Sequence, residues 1–122
     1  MNIKTPPAIR FAIKEYRVYI NWAVLIILNK PAYLQFLFND EHKLLAVSGS
    51  IEPKENSYII PDRTYRCDDL ECNISRKALT EAFRVRMNWD KSKNYRVIGE
   101  YDKNIDMVVF DLTTAAVVRT EG

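Results

Sequence analysis

The sequence has a single histidine, two cysteines and three glycines among its 122 residues, and each scarcity removes a class of chemistry. With His42 alone, Ser-His-Asp or Cys-His catalysis could run only through the acidic turn Asn39-Asp40-Glu41-His42, where a histidine is ordinarily just solvated. A zinc site needs about four ligands, and Cys67, Cys72 and His42 do not supply them. Gly49, Gly99 and Gly122 lie too far apart for a glycine-rich phosphate cradle. The acidic residues show no metal-ligand spacing. These absences point away from an enzyme, a metal or a cofactor, and no small-molecule substrate is evident. The most apolar run, Tyr19 to Leu28, falls short of the roughly 20 residues that cross a bilayer, so no membrane span is expected. Strong charge of one sign is lacking too. The net charge is +2, and the surplus sits in the first half: residues 1–61 carry 7 Lys and Arg against 5 Asp and Glu, whereas residues 62–122 carry 11 against 11.

The chain begins Met-Asn-Ile-Lys-Thr-Pro-Pro, without the apolar core of a signal peptide. A cytoplasmic location is therefore expected, with Cys67 and Cys72 as free thiols, although a disulfide across the intervening Asp68-Asp69-Leu70-Glu71 is sterically possible.

What is present is enough apolar material for a core: 48% of residues are hydrophobic, including 7 Tyr, 5 Phe and 2 Trp. A single domain over residues 1–122 is expected. A domain of this size buries only about two-thirds of its unfolded surface, so a homodimer would help.

Periodicity predicts a strand-rich α+β chain. Ile9, Phe11 and Ile13 alternate with Arg10 and Ala12, as in a half-buried strand. Lys14-Glu15 turns, and Arg17 to Ile20 returns as the second strand of a hairpin. Asn21 is placed to cap a helix over Trp22 to Leu28, which Asn29-Lys30-Pro31 ends. Because that helix is apolar on every side, it must be covered all round. Trp22, Val24, Leu25 and Ile27 are thus expected to face a second copy or a tight intrachain interface. Tyr33 to Phe38 and Lys43 to Val47 form the next hairpin. A polar connector covers residues 49–62, with a short extra strand near Ser57 to Ile60.

The second half runs in the same order: Arg63 to Cys67 extended, a turn, Cys72 to Ile74 returning, and Ser75 capping a helix to Met87. Its apolar face would carry Ala78, Leu79, Ala82, Phe83 and Met87. Strands over Asn94 to Glu100 and Asp106 to Leu112 follow, then a tail from Thr113 that is ordered at most in part. Matching the halves pairs Ile20 with Ile74, 54 residues on, Tyr33 with Tyr95, 62 on, and Leu44 with Met107, 63 on. The fold expected is therefore two repeats of a β-hairpin–helix–β-hairpin unit, about 8–48 and 63–112, packed as one pseudo-symmetric body. Arg84 and Arg86 beside Trp89 read as the solvent face of a helix and a core aromatic, rather than as a stacking patch for nucleic acid.

The run Arg17-Val18-Tyr19-Ile20-Asn21, an apolar helix, Tyr33-Leu34-Gln35-Phe36 and Lys43-Leu44-Leu45-Ala46-Val47 resembles the swapped-hairpin AbrB-type DNA-binding domain. Two such units in one chain resemble the MraZ arrangement. The resemblance implies a small transcriptional regulator that contacts duplex DNA through basic residues of the first hairpin in each unit. On this chain those are Arg10, Lys14 and Arg17, then Arg63 and Arg66. A two-stranded ribbon fits the major groove, and guanidinium forks reach phosphates or guanine edges; solvated charges that guard strand edges would look the same. The alternative is a non-enzymatic protein-interaction or assembly module, dimeric through the Trp22–Leu28 segment. A single-stranded nucleic-acid binder using strand tyrosines is the third reading.

Overall fold

Alternating side chains, rather than helix propensity, shape most of this chain. A computed structural model describes residues 5–66 and 71–118. The first strands are β1 (Ala8–Ala12) and β2 (Arg17–Asn21), joined by a 3-10 turn over Ile13–Glu15 and by Tyr16 in the left-handed region. Helix α1 (Trp22–Ile27) follows at once, capped by Asn21, whose side chain accepts from the Val24 N–H at 3.3 Å. Asn29 and Lys30, both with positive φ, reverse the chain before Pro31. Next come β3 (Tyr33–Asn39), β4 (Leu44–Ser50), β5 (Ser57–Ile59) and the short helix α2 (Asp62–Arg66). After the undescribed residues lie β6 (Glu71–Ser75), α3 (Lys77–Met87), β7 (Asn94–Asp102), β8 (Met107–Asp111) and, beyond a 3-10 turn, β9 (Ala116–Val118).

The strands form one nearly closed antiparallel sheet in the order β5-β3-β4-β8-β7-β1-β2-β6, with β9 added to β7. Strand-rich α+β is thus the class, as the periodicity implied. The long β7 joins the two parts: residues 94–98 pair with β1, and Gly99–Asp102 pair with β8. Inward-facing Ile9, Phe11, Val18, Ile20, Val97 and Phe110 share one core, to which α1 adds Val24 and Leu25 and α3 adds Phe83. Trp89 stacks on Tyr95 at 4.6 Å and touches Phe11 at 5.0 Å, which places it in that core.

Several expectations need correction. Residues Asp62–Arg66 are helical rather than extended: Thr64 N–H donates to the Pro61 carbonyl at 2.9 Å, and an Asp62–Arg66 ion pair spans one turn at 3.0 Å. Ser75 ends β6 instead of capping α3, whose N-cap Arg76 makes no side-chain cap bond. On α3 the buried residues are Thr80 and Phe83, while Ala78 is exposed. The described part of the tail includes β9, in which Val117 and Ala116 pair with Tyr95 and Arg96. The Tyr33–Tyr95 match sets buried Leu34 beside exposed Arg96, so the burial pattern does not support it. Hairpin registers give a uniform spacing of 63: Phe36 faces Val47, Gly99 faces Phe110, and the turns carry positive φ at Lys43 and Asp106. Cys67 and any Cys67–Cys72 pairing lie outside the described residues. Among the described residues Cys72 is an unpaired, buried thiol, which burial pushes up to about 12.

Candidate anion-binding strip

Strand pleating turns Arg10, Tyr19, Asn73 and Arg96 away from the core. The registers set them side by side: Arg96 opposite Arg10, Arg10 opposite Tyr19, and Tyr19 opposite Asn73. Arg10 is flanked along β1 by Ala8 and Ala12, so its long side chain can lie over the sheet. Its guanidinium sits 4.0 Å from the Tyr19 ring centre and 3.4 Å from the Glu71 carboxylate. Arg17 extends the same face two residues before Tyr19, fully exposed, and the Tyr19 hydroxyl raises its pKa further. That hydroxyl also donates to Glu15 at 3.4 Å.

Two shallow clefts connect the strip. One is lined by Arg10, Tyr19, Glu71 and Arg96, the other by Arg63, Glu71 and Asn73. Glu71 belongs to both, so the face runs from Arg96 on β7 to Arg63 on α2. Like charges directly opposite on neighbouring strands are unfavourable, and Arg10 and Arg96 are so placed. Glu71 is the carboxylate within ion-pair reach of Arg10, and at 43% side-chain exposure it holds that arginine weakly. An anion bridging the two guanidiniums would relieve the repulsion.

The remaining sequence-predicted residues scatter. Lys14 stands exposed on the turn between β1 and β2. Arg66 lies on α2, tied to Asp62 at 3.0 Å. Val24 and Leu25 are 0% exposed within the chain's own core and have no surface left for a second copy. Trp22 and Ile27 stay half-buried against that core. Trp89 is buried, Arg84 pairs with Glu81 at 2.8 Å, and neither is free to stack on a base. His42 sits in an exposed turn, its backbone N–H donating to Asn39 Oδ1 at 3.0 Å.

Arg96 was missed by the sequence reading. Its outward place in the alternation of β7 was legible, but the neighbour it faces depends on register. Among the described residues no group of three or more His, Cys, Asp or Glu could hold a metal ion, and no helix is long and apolar enough to cross a membrane. No protein-family model matches the chain, and no curated protein or solved structure is significantly similar to it.

Proposed function

We propose that this chain is a small non-enzymatic regulator that binds duplex DNA through the strip Arg96–Arg10–Arg17–Tyr19–Arg63. The observation that carries the reading is the Arg10–Arg96 cross-strand pair on an outward sheet face, relieved only by the weak Arg10–Glu71 bridge. The face of the first hairpin presents guanidiniums and a tyrosine, not an apolar groove. Neighbouring strands are about 4.8 Å apart, so the step from β7 to β2 spans about 10 Å, within the roughly 12 Å width of a major groove. Glu71 holds Arg10 through one exposed contact at 3.4 Å, which a bidentate fork to phosphate oxygens can replace.

The same reading includes the twofold repeat of the swapped-hairpin kind. Strands β2 and β6 pair about Tyr19 and Asn73, which are 54 residues apart, the spacing at which the halves align there. Strands β4 and β8 pair about Ala46 and Val109, 63 apart, the spacing that relates their two hairpins. An axis exchanging the halves would pass through both pairs. Further support comes from β5, which stands to β3 as β1 stands to β7: Tyr58 faces Leu34 and Ile9 faces Val97. A crystal structure in which residues 17–47 fail to superpose on 71–110, strand for strand, would end this part.

The DNA reading is tested by anisotropy titration of a labelled duplex over a salt series. Replacing Arg10, Arg17 and Arg96 by Ala should weaken binding while the melting temperature holds. Each lost phosphate contact should lower the salt slope by about 0.9, whereas a base-reading arginine would cost about 1–3 kcal/mol and relax preference at one position. Absence of binding by the unaltered protein at micromolar concentration and low salt refutes it.

A second reading, an assembly module, draws on β9. This strand pairs only with β7 among the described residues, and Val117 and Ile98 beside it are 51% and 44% exposed. A second copy joining edge to edge there would give the homodimer that the α1 segment does not offer. Sedimentation of a Val117→Lys variant as a monomer, against a dimeric parent, would establish it.

A further inference from the structure

On another part of the molecule, α3 and β3 enclose a groove of about 360 Å³. We infer that it binds a small planar aromatic anion, an aryl carboxylate. This inference is independent of the DNA reading, since no residue of the basic strip lines the groove.

Ring surface makes the walls. Phe36 meets Tyr58 edge-on at 5.4 Å, and Phe38 meets Phe83 edge-on at 5.5 Å. Leu79 and Ala82 complete the apolar lining from α3. Phe38 and Tyr58 are only half-buried, so aromatic surface stays in contact with water where one more ring would cover it. The volume lies at the small end of ligand pockets, about 300–1,000 Å³, the size for a one- or two-ring molecule.

The rim supplies charge. Asp40, Asn56 and Arg86 line it. Asp40 is held by Lys43 at 2.9 Å, and its carboxyl is kept below the usual range by that bond. Arg86 lies farther from Asp40, at 3.9 Å, with its guanidinium 5.8 Å from the Phe38 ring centre. Among the described residues Arg86 makes one long bond, to the Ala82 carbonyl at 3.4 Å, which leaves most of its five donors for an incoming anion. Burial raises the Tyr58 hydroxyl, and the charge of Arg76 offsets part of that rise. Lys43 and Arg86 thus flank one carboxylate, which Lys43 already pairs. A carboxylate on the ligand would meet the Arg86 fork while its ring sits among the phenylalanines, the geometry that arginine recognises bidentately.

The test uses 2-naphthoate and its neutral analogue 2-naphthalenemethanol, followed by titration calorimetry and amide chemical shifts of the full chain. Expected is saturable naphthoate binding, with shifts confined to residues 36–40, 56–58 and 79–87, and an alcohol at least ten-fold weaker. Arg86→Met should remove the preference for the anion. Asp40→Asn, which frees Arg86 from its competitor, should tighten naphthoate several-fold. Leu79→Trp, filling the groove from the helix, should abolish binding of both compounds without lowering the melting temperature. Naphthoate that fails to saturate at millimolar concentration, shifts elsewhere on the protein, or equal affinity of the Arg86→Met variant for naphthoate would each overturn the inference.

Discussion

Replacing Asn21 by Ala removes three hydrogen bonds that join the start of β1 to the start of α1. The Asn21 Oδ1 accepts from the Val24 N–H at 3.3 Å and from the Ala8 N–H at 3.0 Å, and Nδ2 donates to the Pro6 carbonyl at 2.9 Å. Loss of an N-cap costs about 1 kcal/mol. Ala8 is 4% exposed, so its orphaned N–H adds about 1–3 kcal/mol. The Pro6 carbonyl is at the surface and turns to water at little cost. The expected destabilisation is therefore about 2–4 kcal/mol, a fall in melting temperature on the order of 10 °C for a chain of this length. Thermal and urea melts monitored by circular dichroism measure it, and amide exchange at Ala8 should accelerate in step. Asn21→Asp keeps the acceptor and adds a charge that suits a helix N-terminus, so it should stay within about 1 kcal/mol of the parent. An Asn21→Ala variant that melts with the parent, or an Asp variant as unstable as the Ala one, would refute the assignment of both bonds to this side chain.

Gly99→Ala should destabilise by about 2 kcal/mol or more in the same melts, because its Cβ would lie 2.6 Å from the Phe110 ring in a packed core. Cys72 should resist thiol reagents in the native protein and react on unfolding, since burial disfavours its thiolate. Its thiol stays protonated in the folded state up to about 12, whereas the unfolded chain ionises it from about 9. Stability should therefore fall as pH rises through that window, and Cys72→Ala should flatten this alkaline limb of the urea-midpoint profile.

Local chemistry carried much of the fold into the sequence. Asn21 before an apolar run marked a cap, and the Asn29-Lys30-Pro31 stop was equally readable. Alternation located most strands to within a few residues. What escaped was long-range. A strand's partner is not written in its own residues, and a one-residue slip reverses every side chain. The short α2 did carry a signal: Pro61 just before it, Asp62 in its first turn and Arg66 in its last are a helix pattern, masked by the expectation of a second hairpin. Of the apolar Trp22 to Leu28 segment, this chain's own core buries Ala23, Val24, Leu25 and Leu28 and leaves Trp22, Ile26 and Ile27 half-exposed. The candidate sites divide the same way. Arg10 and Arg17 follow from alternation within one hairpin. Arg96 reaches them only through a pairing between residues about 86 positions apart in sequence, and the α3–β3 groove depends on packing that no local pattern encodes.

The interleaving of early and late strands also governs how the chain is made. Strand β1 lies between β2, its immediate successor, and β7, which pairs Val97 with Ile9. At about 5–20 residues per second, β7 leaves the ribosome on the order of ten seconds after β1. Until β6 and α3 are made, Ile9, Phe11 and Val18 have only a two-stranded ribbon and α1 to hide against, a lone hairpin is marginal in water, and the β7 side of β1 stays open to the end of the interval. Closure must then bring together ends separated by most of the chain, a slow step in topologies of high contact order. A nascent chain arrested before residue 94 should therefore be bound by chaperones and cut readily by protease, and the whole chain should acquire resistance in a single late event.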